Sequence, residues 1–165
     1  MFIFKKKYFL IIESIKDINL RNIKKYNKFI IIYRNQHKHE NITDLKKFRK
    51  ECKLKFIDFF VANDLKLSIL LNSDGIYLSA YNKSFKALAF KSFKFKIIGS
   101  AHNISDINLK IKQECKYILL SKLFTVDYAK KKPFLDIIKF NNYSSKFQTK
   151  LVPLGGIKIS NLNKL

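Results

Sequence analysis

A chain of 165 residues is long enough for one domain with a single sizeable core, and its 47% hydrophobic and 15% aromatic residues exclude disorder despite a formal net charge of +22. Only Arg21, Arg34 and Arg49 among the 34 basic residues are arginine. Lysine spread evenly among abundant Ile, Asn, Phe and Tyr reads as compositional drift, and specific nucleic-acid recognition, which favours bidentate arginine, is not expected. Cys52 and Cys115 offer neither a disulfide framework nor a metal motif, and at apolar helical positions both read as buried thiols of a reducing compartment. The apolar run Tyr8 to Ile12 is too short for a signal peptide, and no segment reaches the roughly 18 apolar residues of a membrane span. A cytoplasmic protein without membrane contact is expected.

In chain order, Tyr8 to Ile12 reads as a first buried strand ending in Glu13 and Ser14. Ile18 to Tyr26 follows as a helix with Ile18, Leu20 and Ile23 as a weak apolar face. Phe29 to Tyr33 is the second strand, closed by Arg34. The polar loop Asn35 to Asn41 contains His37-Lys38-His39, a poor metal site because an ammonium separates the two imidazoles and no further ligand is near. Thr43-Asp44 is placed as the cap of a helix whose Leu45, Phe48 and Cys52 share one face.

Phe56 to Ser79 states a complete strand, loop, helix, strand unit. Asp58 to Ala62 is nearly continuous in apolar residues, as in a parallel strand buried on both faces. Leu65, Leu67, Ile69, Leu70 and Leu71 make a short apolar helix, Asp74-Gly75 a turn, and Ile76 to Leu78 the fourth strand. Side chains at the carboxyl ends of parallel strands face the ligand crevice of α/β proteins, and on the third strand that place belongs to Asn63 and Asp64.

Ser84 opens a further helix carrying Phe85, Leu88 and Ala89, and Phe95 to Ile98 is a fifth strand with Gly99-Ser100-Ala101-His102-Asn103 as its loop. Ser105 and Asp106 begin a helix with Ile104, Ile107 and Ile111 at helical spacing. Tyr117 to Leu120 is the sixth strand. Pro133 starts a helix with Phe134, Ile137 and Ile138 inward, Leu151 to Leu154 is the seventh strand, and Ile159 to Leu165 begins the last helix. Strands alternating with helices imply a parallel sheet, and no GxGxxG fingerprint points to a dinucleotide fold. The expected class is α/β, a TIM-type eightfold β/α barrel in one domain over residues 1–165, with about seven βα units and the last one missing. Exposed parallel edges then favour a homo-oligomer.

Four motifs in this order resemble the thiamine-phosphate synthase and TenI family of small β/α barrels: Asn63-Asp64, Asp74-Gly75-Ile76-Tyr77-Leu78, Gly99-Ser100-Ala101-His102 and Gly155-Gly156-Ile157, with Asn161 matching a later family Asn. The resemblance implies a transferase that joins an aminopyrimidine pyrophosphate to a thiazole phosphate. It places Mg²⁺ at Asp64 and pyrophosphate at Asn63 and Arg34. It also places the family's strand-end hydroxyl at Ser100 and the thiazole phosphate on the amides of Gly155 and Gly156. A hard cation, Arg and backbone donors suit a pyrophosphate leaving group, because they stabilise charge that develops on its oxygens.

The chain departs from the family at several of these places. The second acidic Mg²⁺ ligand falls at Asn82, which weakens the expectation of Mg²⁺. The phosphate-loop lysine falls near Ala129 with Lys130 adjacent, and the histidine after the fourth strand is Tyr77. A TenI-like thiazole tautomerase, in which His102 moves the proton, is one alternative. A non-catalytic barrel that binds a phosphate ligand, nucleic acid or a partner is another. The same residues also have plain readings: Asp64 as a helix cap, Arg34 as a solvated strand end, Ser100 and His102 as loop residues, and the glycines as a tight turn.

Overall fold

In the computed structural model, which describes residues 7–24, 26–35, 40–91, 94–124 and 134–157, the apolar runs FIIIY, DFFVA and YILLS each become a five-residue strand with a buried middle. A run apolar on both faces needs cover on both, which parallel strands under helices provide. The chain divides into two compact units, Met1–Tyr77 with Lys91–Lys96, and Leu78–Phe90 with Ile97–Leu165.

In the first unit β1 (Tyr8–Ile12), β2 (Phe29–Tyr33), β3 (Asp58–Ala62) and β4 (Gly75–Leu78, whose last residue opens the second unit) pair in parallel in chain order. The register sets Tyr33 beside Val61 and Ala62 beside Tyr77, so the carboxyl ends of β2, β3 and β4 lie level. The helix α1 (Ile42–Leu54) lays Leu45, Phe48 and Cys52 onto a core that includes Ile31, Phe59 and Val61. Phe48 meets the Phe59 ring edge-on at 5.9 Å. Each side chain so buried is worth about 1.5–3 kcal/mol. The cap of α1 is Asn41, whose Oδ1 accepts the Thr43 amide at 2.8 Å, two residues before the expected Thr43.

The helix expected over 18–26 does not form. Short 3-10 turns at Ile15–Asp17, Leu20–Asn22 and Tyr26–Lys28 replace it, the first two capped by Ser14 and Asn19. Side chains that bond the local backbone offer turns in place of a continuous helix, and of the expected face only Leu20 and Ile23 are buried. In the short α2 (Leu65–Leu70) Leu67 packs against the core, as does Leu71 just after it, but the fully buried residue is Ser68, while Ile69 and Leu70 are exposed. The Ser68 and Ser73 hydroxyls lie 2.6 Å apart and 3.0 and 2.9 Å from the buried carbonyl of Gly75, so one donates to the other and the other to the carbonyl. Gly75 itself is required by a close approach, since a Cβ there would stand 1.8 Å from the Lys96 carbonyl oxygen.

In the second unit β5 (Lys96–Ala101, whose first residue closes the first unit), β6 (Tyr117–Ser121) and β7 (Lys150–Leu154) are again parallel and in chain order, with Ser100 beside Leu119 and Ser121 beside Leu154. The strand β5 runs three residues past the expected Ile98, so Gly99 and Ser100 belong to it and not to a loop. Gly99 makes this possible: a Cβ would meet Lys110 Cδ at 2.8 Å and Cys115 Sγ at 2.9 Å. The helix α3 (Ile104–Lys112), capped by Asn103, buries Ile107 and Lys110 and leaves Ile104 and Ile111 exposed. In α4 (Ile137–Lys146) the buried residue is Phe140, while the expected Phe134 and Ile138 are exposed. Where a helix was expected from Ser84, a 3-10 turn at Lys86–Phe90 buries Ala87. The His37-Lys38-His39 loop, Pro133 and the helix expected from Ile159 lie outside the described residues. No helix among them is long and apolar enough to cross a membrane.

Candidate active site

The first unit gathers polar residues at the carboxyl ends of β2 and β3. Arg34 follows β2 directly, its amide donating to the Ile12 carbonyl at 2.8 Å, and its side chain is half-buried. Beside it Asn35 Nδ2 donates to the Tyr33 hydroxyl at 2.7 Å. Burial first, with the Glu40 carboxylate close by, pushes the Tyr33 phenol up to about 12.

Asn63 ends β3 in the left-handed region at φ 59°, where Asn is tolerated better than most residues, and its amide donates to the Tyr77 carbonyl at 2.8 Å. That twist releases Asp64 to cap α2, its Oδ1 accepting the Leu67 amide at 2.9 Å. Both residues are exposed. The cap reading and the site reading of Asp64 are therefore compatible, because a cap uses one carboxylate oxygen and leaves the second for a cation or donor.

The second unit holds the other expected positions. Ser100 is buried on β5. Since Gly99 faces Lys110 of α3, the alternation of a strand turns Ser100 to the opposite face of the sheet. His102 follows the strand with its backbone fixed, its amide donating to Asp106 Oδ2 at 2.9 Å while Asn103 caps α3 through the Asp106 amide. Its Nδ1 lies 2.9 Å from Ser121 Oγ and 3.3 Å from the Ser121 carbonyl oxygen, and its ring centroid is 5.9 Å from that of Tyr81. After β7, Gly155 and Gly156 take φ of 93° and 68°, values that favour glycine, and the Gly155 carbonyl accepts the Phe124 amide at 3.1 Å. Lys130 and Asn161 lie outside the described residues.

Asn82 is tied down by its neighbours. Its Oδ1 accepts the Ser84 amide at 3.0 Å, and its carbonyl accepts both Lys110 Nζ at 2.8 Å and Gln113 Nε2 at 3.0 Å. Lys110 is fully buried, and burial pulls its ammonium below the ordinary lysine range. Sequence reasoning missed this clamp, although a lysine three residues after Ile107, on the same helical face, was a signal for it. It also missed Tyr81 and Ser121, which come from the ends of different strands and share no spacing with His102.

No group of three or more His, Cys, Asp or Glu able to hold a metal occurs among the described residues. Asp64 alone fits a Mg²⁺ ion that arrives on a pyrophosphate, since that ion keeps waters and takes one or two carboxylates beside the phosphate oxygens. It does not make a metal cage by itself.

The chain is 28% identical over 127 residues to the thiamine-phosphate synthase of Prochlorococcus marinus subsp. pastoris, which covers 76% of this chain and 36% of that protein. It therefore spans little more than a third of that relative's length. Its backbone is similar to the thiamine phosphate pyrophosphorylase from Pyrococcus furiosus, with a TM-score of 0.72 at 16% identity over 95% of this chain and 78% of that one. It is also similar to the 2-keto-3-deoxy-6-phosphogluconate aldolase of Zymomonas mobilis, with a TM-score of 0.58 at 15% identity over 94% and 72% of the two chains. At such identities the likeness is one of fold, and it agrees with the α/β barrel class expected from the sequence. The Asn63-Asp64 pair, the Asp74-Gly75 strand start, Ser100, His102 and the Gly155-Gly156 turn all fall within the match to the family described as thiamine monophosphate synthase over residues 13–165, and the chain belongs to that family.

Proposed function

We propose that this protein acts in thiamine biosynthesis on phosphorylated pyrimidine and thiazole compounds, as a thiamine-phosphate synthase-like transferase of weakened Mg²⁺ affinity. The observation that carries this reading is the exposed Asn63-Asp64 pair at the carboxyl end of β3, in a chain that belongs to the family. Arg34 and Asn63 would bind the pyrophosphate, and Asp64 would hold the Mg²⁺ that comes with it. Ser100 would offer its hydroxyl to the reacting pyrimidine, and Lys130 would face the leaving phosphate. The Gly155 and Gly156 amides would take the thiazole phosphate, because no Cβ shields them. With Asn82 in place of a second carboxylate, the chain supplies a single full negative charge for the cation.

A second reading, an isomerase of the TenI type, is favoured by the exposed imidazole of His102, whose Nδ1 lies 2.9 Å from Ser121 Oγ. Such a reaction needs a group that takes a proton from one position of the thiazole system and returns it to another, and no metal. Assays of the purified chain with both substrates separate the two. Asp64→Asn should abolish coupling and spare isomerisation, and His102→Gln should do the reverse. If the wild type shows neither activity across a wide range of Mg²⁺, both readings fail.

A further inference from the structure

We propose that Ser121 is a positioning residue for His102: it holds the imidazole as the Nδ1–H tautomer, leaving the Nε2 lone pair as the site that takes and returns the proton. This rests on the isomerase reading. The Ser121 carbonyl, 3.3 Å from Nδ1, can only accept, so a bare Nδ1 would set two lone pairs against each other. With a proton on Nδ1 that contact becomes favourable, and Ser121 Oγ at 2.9 Å accepts as well. The tautomer of a histidine is set by the partner of its other nitrogen.

Ser121 is itself firmly placed. It ends β6 beside Leu154, and the segment after it is tied on both sides, with Leu123 N–H donating to the Leu154 carbonyl at 2.9 Å and Leu135 N–H to the Lys122 carbonyl at 2.7 Å. The His102 backbone is fixed from its own side by Asp106, and the exposed Tyr81 ring lies 5.9 Å from the imidazole, centroid to centroid. Three strand ends thus meet on one side chain, and no proton is lost or gained over a turnover: Nε2 receives one from the substrate and gives it back.

The test is ¹⁵N NMR of the full chain labelled at histidine, near neutral pH. There are three histidines in the chain, and His102 is assigned by the signal missing from His102→Gln. The expected result is a neutral His102 with its proton on Nδ1, and the same proton position in Ser121→Ala, because the backbone carbonyl that can only accept is kept there and the lost hydroxyl loosens the ring without moving the proton. In parallel, Ser121→Ala should lower kcat for isomerisation about tenfold with KM unchanged, a modest share of what general acid–base catalysis supplies. A wild-type His102 protonated on Nε2, or a proton that moves to Nε2 in Ser121→Ala, overturns the proposal. If the Nδ1–H signature is present but the wild type isomerises no thiazole phosphate, the isomerase reading falls and the role of Ser121 in setting the tautomer stands.

Discussion

Asp74 accepts Arg49 Nη2 on one carboxylate oxygen at 2.9 Å and the Phe59 amide on the other at 2.7 Å, so a turn residue of the fourth strand fastens α1 and β3 together. Arg49 Nε also donates to the Asn72 carbonyl at 3.0 Å, and its side chain is only 10% exposed. The Asp of the Asp74-Gly75 motif therefore serves the fold, at the end of β4 away from its carboxyl terminus. Removing either partner strands a charged, hydrogen-bonded group. Asp74→Ala should lower the free energy of unfolding by about 1.5–3 kcal/mol, read from urea denaturation. A change below about 0.5 kcal/mol, the level of an ordinary surface substitution, would show that the clamp does not hold the fold.

Asp64 has two roles that one substitution separates. Asparagine caps a helix as well as aspartate does, whereas alanine costs about 1 kcal/mol. Asp64→Asn should keep the melting temperature near that of the wild type and lose Mg²⁺-dependent pyrophosphate binding. Asp64→Ala should lose both. Retention of pyrophosphate affinity in Asp64→Asn would leave the carboxylate with the cap alone.

Burial pushes the Cys52 thiol from 9.0 up to about 12. Between those values the unfolded chain has released the proton and the folded one keeps it, so the native state binds more protons and stability falls as pH rises. The Cys52 contribution is fully present below pH 9.0 and is lost on the way to about 12. Urea unfolding of the wild type and of Cys52→Val, compared at neutral and at strongly alkaline pH, should show the variant gaining on the wild type as pH rises. A constant difference would mean that the thiol ionises equally in both states.

The Gly155 turn should tolerate no side chain without strain. At φ 93°, with Lys122 Cα 3.3 Å from where a Cβ would lie, Gly155→Ala is expected to cost about 1–3 kcal/mol and to weaken thiazole phosphate binding. Thermal denaturation and titration with that ligand check both halves. An unchanged affinity would confine the glycines to the turn.

Much of the fold was legible because parallel strands buried on both faces announce themselves as short apolar runs. The strands at Tyr8, Phe29 and Asp58 have the expected bounds. Helix faces were read less well. In α2 and α3 the inward positions include Ser68 and Lys110, and a polar group satisfied by hydrogen bonds is invisible to an apolar periodicity. The caps at Asn41 and Asn103 were missed for a related reason: the first turn contained other good capping residues, and only the backbone decides between them. The positions of Asn63, Asp64 and His102 at strand ends were accessible from order along the chain. The hold of Ser121 on His102 was not, because it joins residues of separate strands.

The central claim is that this chain binds phosphorylated thiamine precursors, and calorimetry of the full chain with thiazole phosphate, and with pyrophosphate in the presence and absence of Mg²⁺, tests it most directly. The account predicts saturable binding of both ligands at or below millimolar concentration, with pyrophosphate strengthened by Mg²⁺ and that gain lost in Asp64→Asn. Absence of binding to either ligand at millimolar concentration, with or without Mg²⁺, would contradict it and leave a barrel that binds something else.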